Sequence, residues 1–259
     1  MNTTTTKPAI IQLDDASRSP SKTLSEYCKN CSNAVTNALN EFPVVQKTAN
    51  CKISHGFVKE NALISMLWTT TFENPPNNLL DIFEELFGGD GKNLKKHALE
   101  WDNTFHNVEL IGKIDSTIAG DDLKMPPLLV QWQFNASPLA GREMVYVVSA
   151  KKEKPTANDK WLSRITYSYA SVHDDWIHSV TKQEVKATSG RTRSMNCFPS
   201  CDRVTVYKEK VQLDHMMTTD IGGWVPTFCF NNLFKGALVD ANCHESERMR
   251  AYALSLCTK

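Results

Sequence analysis

The sequence predicts an α+β fold in which an antiparallel β-sheet packs against a long C-terminal helix. Strand-like segments follow one another through short turns over most of the chain. Such connections favour antiparallel pairing, because parallel strands need long crossovers. The last of these segments precedes a run of helical character from near Trp224 to Leu256. Its apolar stripe, from Val225 to Ala241, must be buried against the sheet.

The composition excludes several classes of protein. The 259 residues include 29 basic and 29 acidic side chains, and this zero net charge does not favour general binding to nucleic acid. No apolar run reaches about 18 residues, and the N-terminus lacks the pattern of a secretory signal, so we expect neither a membrane-spanning helix nor export. The eight scattered cysteines are typical of reduced thiols in a cytoplasmic protein.

Residues 1–22 are expected to form a disordered tail, and residues 23–259 a single domain. The tail is rich in threonine and serine and shows no core periodicity. A segment of this composition cannot bury enough apolar surface to offset the entropy lost on ordering.

The predicted domain begins with a helix and two strands. From Thr23 to Leu39 the apolar residues recur at helical spacing, and Pro43 stops the helix. The strand-like segments VVQKTANCKIS and ALISMLWTTTF follow. An amphipathic helix in LLDIFEELFG then ends at Gly88–Gly89, because glycine tolerates the left-handed conformation that closes many helices.

More strand-like segments make up the second half of the chain. LLVQWQFNA alternates strictly, and one of its faces carries Val130, Trp132 and Phe134. The short turn SPLAG connects it to REMVYVVSAKK. The run is completed by WLSRITYSYASV, KQEVKATSGRTRSMNCF and DRVTVYKEKVQLD.

Motifs for common enzymatic chemistry are absent from the sequence. It contains no GxSxG elbow, phosphate-binding loop, HExxH motif or dinucleotide fingerprint. Cys28 and Cys31 have the spacing of half a zinc site, but no second ligand pair lies at a suitable distance along the chain. The loop with His173, Asp174, Asp175 and His178 is typical of a solvated turn. We expect no catalytic residue, no metal and no cofactor.

Four motifs, in this order, resemble those of the START domains, the StAR-related lipid-transfer domains. They are LEWDNTFHNVELIGKID, SPLAGREMVYVVSAKKE, KQEVKA, and DRVTVYKEKVQLD followed by DIGGWVP. The resemblance covers roughly residues 40–256. The chain departs from the family at Glu143 and Lys186, where aspartate and arginine are usual, and in a longer insertion around 115–127. These departures bear on the ligand rather than on the fold.

The resemblance implies a helix-grip fold, in which a curved antiparallel sheet wraps around the C-terminal helix and encloses an apolar cavity. The implied function is to bind and transfer a single lipid, such as a sterol, phospholipid, ceramide or carotenoid-like molecule. The protein would be a monomer that contacts membrane surfaces transiently and is peripheral to them. One alternative is a hydrolase or cyclase on the same scaffold, which would require inward-facing carboxylates paired with a histidine. Another is a lipid sensor or scaffold without transfer.

Four residues are expected to contact the ligand. The resemblance implies that Arg142 orients a polar headgroup. It also implies that Gln131 lies near the position of a cavity-facing amide in the ceramide-transfer branch, and that Trp101 contacts the ligand. Strand alternation instead favours Trp132 as the inward residue, since neighbours on a strand point to opposite faces. A β-bulge is the one arrangement that would let both Gln131 and Trp132 line the cavity.

Two loops are expected at the cavity entrance. Pro138 and Leu139 belong to the first, and Trp224, Val225 and Pro226 follow a glycine turn in the second. These apolar residues would enter a bilayer interface, where the tryptophan ring lies at a favourable depth and its N–H stays hydrated. The alternative is that Trp224 is the first core residue of the C-terminal helix.

Replacing Trp224 by alanine distinguishes these two positions. At a bilayer interface, Trp224→Ala removes an apolar contact with the membrane, so the rate of lipid transfer between vesicles falls while the far-UV circular dichroism spectrum is unchanged. Both quantities are measured on the same preparation. An unfolded variant would identify Trp224 as a core residue.

Overall fold

A computed structural model of the chain describes residues 20–58, 63–88, 94–101, 105–114, 123–135, 141–172, 178, 185, 188–222 and 235–258. Its helices are α1 (Pro20–Glu41), α2 (Leu79–Phe87), α3 (Leu94–Trp101) and α4 (Lys235–Cys257). Its strands are β1 (Val44–Lys47), β2 (Cys51–Phe57), β3 (Ile64–Glu73), β4 (Phe105–Lys113), β5 (Leu128–Phe134), β6 (Arg142–Glu153), β7 (Ser163–Ser171), β8 (Thr192–Arg193), β9 (Met195–Asn196), β10 (Cys201–Val206), β11 (Lys210–Met217) and β12 (Thr219–Asp220).

One large sheet confirms the predicted antiparallel architecture. Its strand order is β1-β2-β3-β11-β10-β7-β6-β5-β4, and all neighbours along this path are antiparallel. The short strand β8 pairs in parallel with β6, and β9 and β12 form a separate two-stranded sheet. The hairpin β10–β11 lies between β3 and β7, so it joins the first and second halves of the chain.

Helix α1 covers one face of this sheet, which is called the outer face below. The buried side of α1 includes Leu24, Cys31 and Val35, and the exposed Leu39 lies just beyond it, at the edge of the predicted stripe. The Cys28 Sγ atom is 3.1 Å from Ser168 Oγ of β7. Small polar side chains therefore meet the helix on this face.

Helices α2, α3 and α4 cover the inner face. The core there joins residues of all three helices to alternate residues of β5, β6, β7, β10 and β11. Among the described side chains of α4, Cys243, Ser246, Met249 and Ala253 are buried, whereas Ala241 of the predicted stripe is exposed. The hydrophobic pattern placed this part of the stripe wrongly, because two of the buried positions of α4 carry a cysteine and a serine rather than large apolar residues. The predicted start of the helix near Trp224 lies outside the described residues.

Helix α3 connects its two neighbouring helices through a buried histidine. His97 Nδ1 is 2.9 Å from the Tyr252 hydroxyl of α4, and His97 Nε2 is 3.0 Å from Glu85 Oε1 of α2. Hydrophobic periodicity did not predict α3, which is the shortest of the described helices. No described helix is long and apolar enough to cross a membrane.

A buried ion pair joins β10 and β11 on the outer face. Arg203 and Asp214 are directly opposite each other, with Nη2 and Oδ2 2.9 Å apart. The second carboxylate oxygen, Oδ1, accepts hydrogen bonds from Thr69 and Gln212, each at 2.8 Å. Arg203 Nη1 also donates to the Ser32 carbonyl of α1 at 2.9 Å. The pair therefore fixes both the hairpin and the helix that covers it.

Removing the arginine tests this role. Arg203→Met should lower the free energy of unfolding by about 3–5 kcal/mol, because Asp214 stays buried without its counter-ion. Urea denaturation followed by circular dichroism measures the change. Glu153→Gln is the control, since Glu153 lies 3.9 Å from Arg164 in a partly exposed pair and should contribute less than about 1 kcal/mol. Equal losses in the two variants would contradict the assignment.

Candidate ligand-binding cavity

A cavity lies between the inner face of the sheet and the helices α2, α3 and α4. Its volume is about 90 Å³, counted as the space open to the centre of a water molecule. Most of its lining is apolar and aromatic. The lining residues are Trp68, Leu86, Phe87, Leu94, Trp101, Trp132, Met144, Tyr146, Val148, Tyr169, Asn196, Asp202, His215, Met217, Glu245, Ser246 and Met249.

The sheet residues of this lining form a continuous row across the strands. Residues of one parity on each strand face the cavity, because side chains alternate between the two faces. The paired residues in this row include Trp132 with Met144, Val148 with Tyr169, Asp202 with His215, and His215 with Trp68.

A hydrogen-bonded chain of three polar residues stands in the middle of this row. His215 Nδ1 is 2.5 Å from Asp202 Oδ1, and the Tyr169 hydroxyl donates to Asp202 Oδ2. Because an ionised carboxylate only accepts hydrogen bonds, the proton of the imidazole lies on Nδ1. The imidazole also stacks on Trp68, with ring centroids 3.8 Å apart and an angle of 21° between the planes. The orientation of His215 is thus set by two neighbours.

The distal nitrogen of this histidine, Nε2, lacks a hydrogen bond within the described part of the chain. Nε2 of His215 is buried, and among the described residues nothing forms a hydrogen bond with it. The same holds for Oδ1 of Asn196, a second polar atom on a residue that lines the cavity. Buried polar atoms are nearly always hydrogen-bonded in folded proteins, so both atoms call for a donor or acceptor from elsewhere.

Tyr169 of this chain and the neighbouring Tyr146 keep their protons at neutral pH. Burial raises the pKa of Tyr169 well above its usual value, and the negative charge of Asp202 raises it further. Burial, together with the same carboxylate, also raises the pKa of Tyr146. The Tyr146 hydroxyl therefore keeps its donor proton inside the cavity, whereas Tyr169 gives its single proton to Asp202.

The structure places two of the four predicted contact residues in the lining. Trp132 packs near Tyr146, with ring centroids 6.0 Å apart, and Trp101 lies 6.3 Å from the Tyr252 ring. Gln131 is on the outer face, where its amide donates to Glu143 Oε2 at 3.0 Å. The β5–β6 register is regular through this position, so no bulge turns Gln131 inward. Contact of any of these residues with a ligand stays a prediction.

Arg142 is buried but is not among the residues that line the cavity. Its Nε donates to the Ile221 carbonyl at 2.8 Å, and Ser194 Oγ donates to the same oxygen at 2.7 Å. Gly222 follows with φ +68°, and a β-carbon there would collide with the Arg193 carbonyl oxygen, so this turn requires glycine. Arg142 thus holds the chain immediately before the predicted entrance loop.

The predicted entrance residues lie outside the described part of the chain. These are Pro138 and Leu139 of the first loop and Trp224, Val225 and Pro226 of the second. Their contact with membranes stays a prediction.

Sequence reasoning missed the polar chain in the cavity. One signal was available, because the strand KVQLDHMM alternates and places His215 in line with the apolar Val211, Leu213 and Met217. A histidine on the apolar side of a strand indicates a buried polar site. Among the described residues, no group of three or more histidine, cysteine or acidic side chains is arranged to hold a metal ion.

Sequence comparison with family models finds no match, and comparison with curated proteins finds none either. Solved structures do match. Human StAR-related lipid transfer protein 5 superposes with a TM-score of 0.58 at 13% identity, over 88% of this chain and 99% of that chain. The STAR-related lipid transfer protein from Xanthomonas axonopodis gives 0.53 at 13% identity, over 82% and 98%.

The lipid transfer and protein localization domain of human StarD13 (DLC2) also superposes, with a TM-score of 0.51 at 16% identity, over 86% of this chain and 95% of that domain. At such identities, the similarity shows the fold alone. It confirms the fold expected from the four sequence motifs: the chain has the helix-grip fold of the START domains.

Proposed function

We propose that this protein binds one hydrophobic molecule in the cavity beneath α4 and transfers it between membranes. The observation that carries the proposal is the lining itself, an apolar and aromatic space between a sheet and a C-terminal helix, with a small polar group at its centre. Two of the structurally similar proteins are named lipid transfer proteins. Transient contact with membrane surfaces through the two predicted entrance loops belongs to the same proposal.

The energetic need for such a cavity follows from the hydrophobic effect. Exposing an acyl chain to water costs about 0.8 kcal/mol per methylene, or on the order of 13 kcal/mol for about 16 carbons. A carrier removes this cost by offering an apolar space that excludes water. This holds equally for a transferring protein and for a sensor that only binds.

Loading requires the cavity to expand. Its volume of about 90 Å³ is well below the roughly 300–1,000 Å³ of ligand pockets in general. Three methionines in the lining, Met144, Met217 and Met249, have flexible side chains that can repack around a guest. Displacement of α4 would break the 2.6 Å hydrogen bond from Thr48 to Glu247. We propose that side-chain repacking and movement of α4 together admit the ligand.

One observation favours the enzymatic alternative. Asp202 and His215 are the inward-facing carboxylate and histidine that a hydrolase on this scaffold would need. Nε2 of His215, however, forms no hydrogen bond with any described residue, so no described nucleophile is activated there. The lining residue Ser246 donates instead to Cys51 Sγ at 2.8 Å. We therefore favour binding without covalent chemistry.

A substitution that fills the cavity tests the proposal. The purified protein should carry one hydrophobic molecule per chain, chemically unchanged, in native mass spectrometry followed by organic extraction. Val148→Phe should abolish this occupancy, because the larger side chain extends from the lining into the cavity. Leu162→Phe should not affect it, since Leu162 is 61% exposed.

The two variants are compared at equal concentration after circular dichroism has confirmed that both fold. Full occupancy in Val148→Phe, or no bound molecule in the unsubstituted protein after incubation with lipid vesicles, would contradict the proposal. Release of a cleaved product would support the enzymatic alternative.

A further inference from the structure

We infer that His215 recognises the hydroxyl group of a neutral lipid alcohol. The inference rests on the proposed function, because it assigns a headgroup chemistry to the same cavity. It starts from the buried Nε2 atom, which has no hydrogen-bond partner among the described residues.

The position of this atom is fixed before any ligand arrives. Asp202 is 2% exposed, and its two carboxylate oxygens accept from His215 and Tyr169 respectively. The indole ring of Trp68 stacks on one face of the imidazole. A polar group held in this way binds a partner without losing rotamer freedom, which favours affinity.

A hydroxyl group satisfies Nε2 in either protonation state of the histidine. In the neutral imidazole with its proton on Nδ1, Nε2 is an acceptor and the hydroxyl donates to it. In the imidazolium, Nε2 carries a proton and the hydroxyl oxygen accepts it. An ester, ketone or ether oxygen can only accept, so it satisfies the charged form alone.

The remaining groups of the lining disfavour an anionic headgroup. Asp202 and Glu245 contribute carboxylates, and the described lining contains no lysine or arginine. A lipid carboxylate or phosphate would enter this space without a compensating cation other than His215, at a large desolvation cost. Oδ1 of Asn196, also without a partner among the described residues, is an acceptor and favours a ligand that donates.

Matched probes of one apolar body and different headgroups test the inference. The full chain, stripped of bound lipid, is titrated with hexadecanol, its methyl ether and hexadecanoate, and with cholesterol and its 3-methyl ether. For the neutral imidazole, the alcohol should bind roughly tenfold or more tightly than the ether within at least one of the two series, since the ether cannot donate to Nε2. Hexadecanoate should bind more weakly than hexadecanol.

Two substitutions of the histidine provide the matched controls. In His215→Asn the amide nitrogen can occupy the place of Nδ1 and donate to Asp202, but no atom reaches the place of Nε2. In His215→Gln the longer side chain brings a polar amide atom to the position of Nε2. The ratio of alcohol to ether affinity should therefore fall to about one in His215→Asn and be partly retained in His215→Gln.

The outcomes separate the inference from the function on which it rests. Equal binding of alcohol and ether by the unsubstituted protein, or a ratio that survives in a folded His215→Asn variant, would overturn the role of His215 and leave lipid binding intact. Failure of the folded protein to bind any probe of either series would overturn the proposed function itself. If His215→Asn does not fold, the ratio in the unsubstituted protein decides.

Discussion

The register of the β10–β11 hairpin is the constraint on which the two faces of the sheet depend. Two successive cross-strand pairs, Asp202 with His215 and Arg203 with Asp214, point to opposite faces. A slip of one residue would exchange them and place the Arg203 guanidinium in the apolar cavity, where a charge without a partner costs several kcal/mol. Both pairs therefore specify the same register.

The contacts that line the cavity differ from those that hold α1 on the outer face. On the outer face, α1 is joined to the sheet by directed contacts, such as the hydrogen bond from Arg203 to the Ser32 carbonyl. On the inner face, α4 contributes Met249 and Ala253 to an apolar core. Met217 of β11, whose side chain is flexible, lines the cavity there. Hydrogen bonds from Ser246 to Cys51 Sγ and from Thr48 to Glu247 also join α4 to the sheet side, so the adaptable part of the inner face is the methionine packing at the cavity.

Much of the fold could be predicted from the sequence, because it depends on local periodicity and on the order of motifs. Alternation alone placed Trp132 on one face with Val130, and the structure finds Trp132 in the cavity lining. Alternation could also place His215 on the apolar side of its strand, but it could not predict the contact with Asp202, which depends on pairing between strands. The bond from Arg142 to Ile221 joins residues 79 positions apart, which no local pattern encodes.

Alternation along the hairpin has a consequence for how such proteins diverge. Arg203 and Asp214 stabilise the scaffold, while their immediate chain neighbours Asp202 and His215 face the cavity. Other inner positions can therefore change the shape of the cavity while these two pairs keep the register. This separation gives a physical reason why an architecture persists between chains that share 13% of their residues.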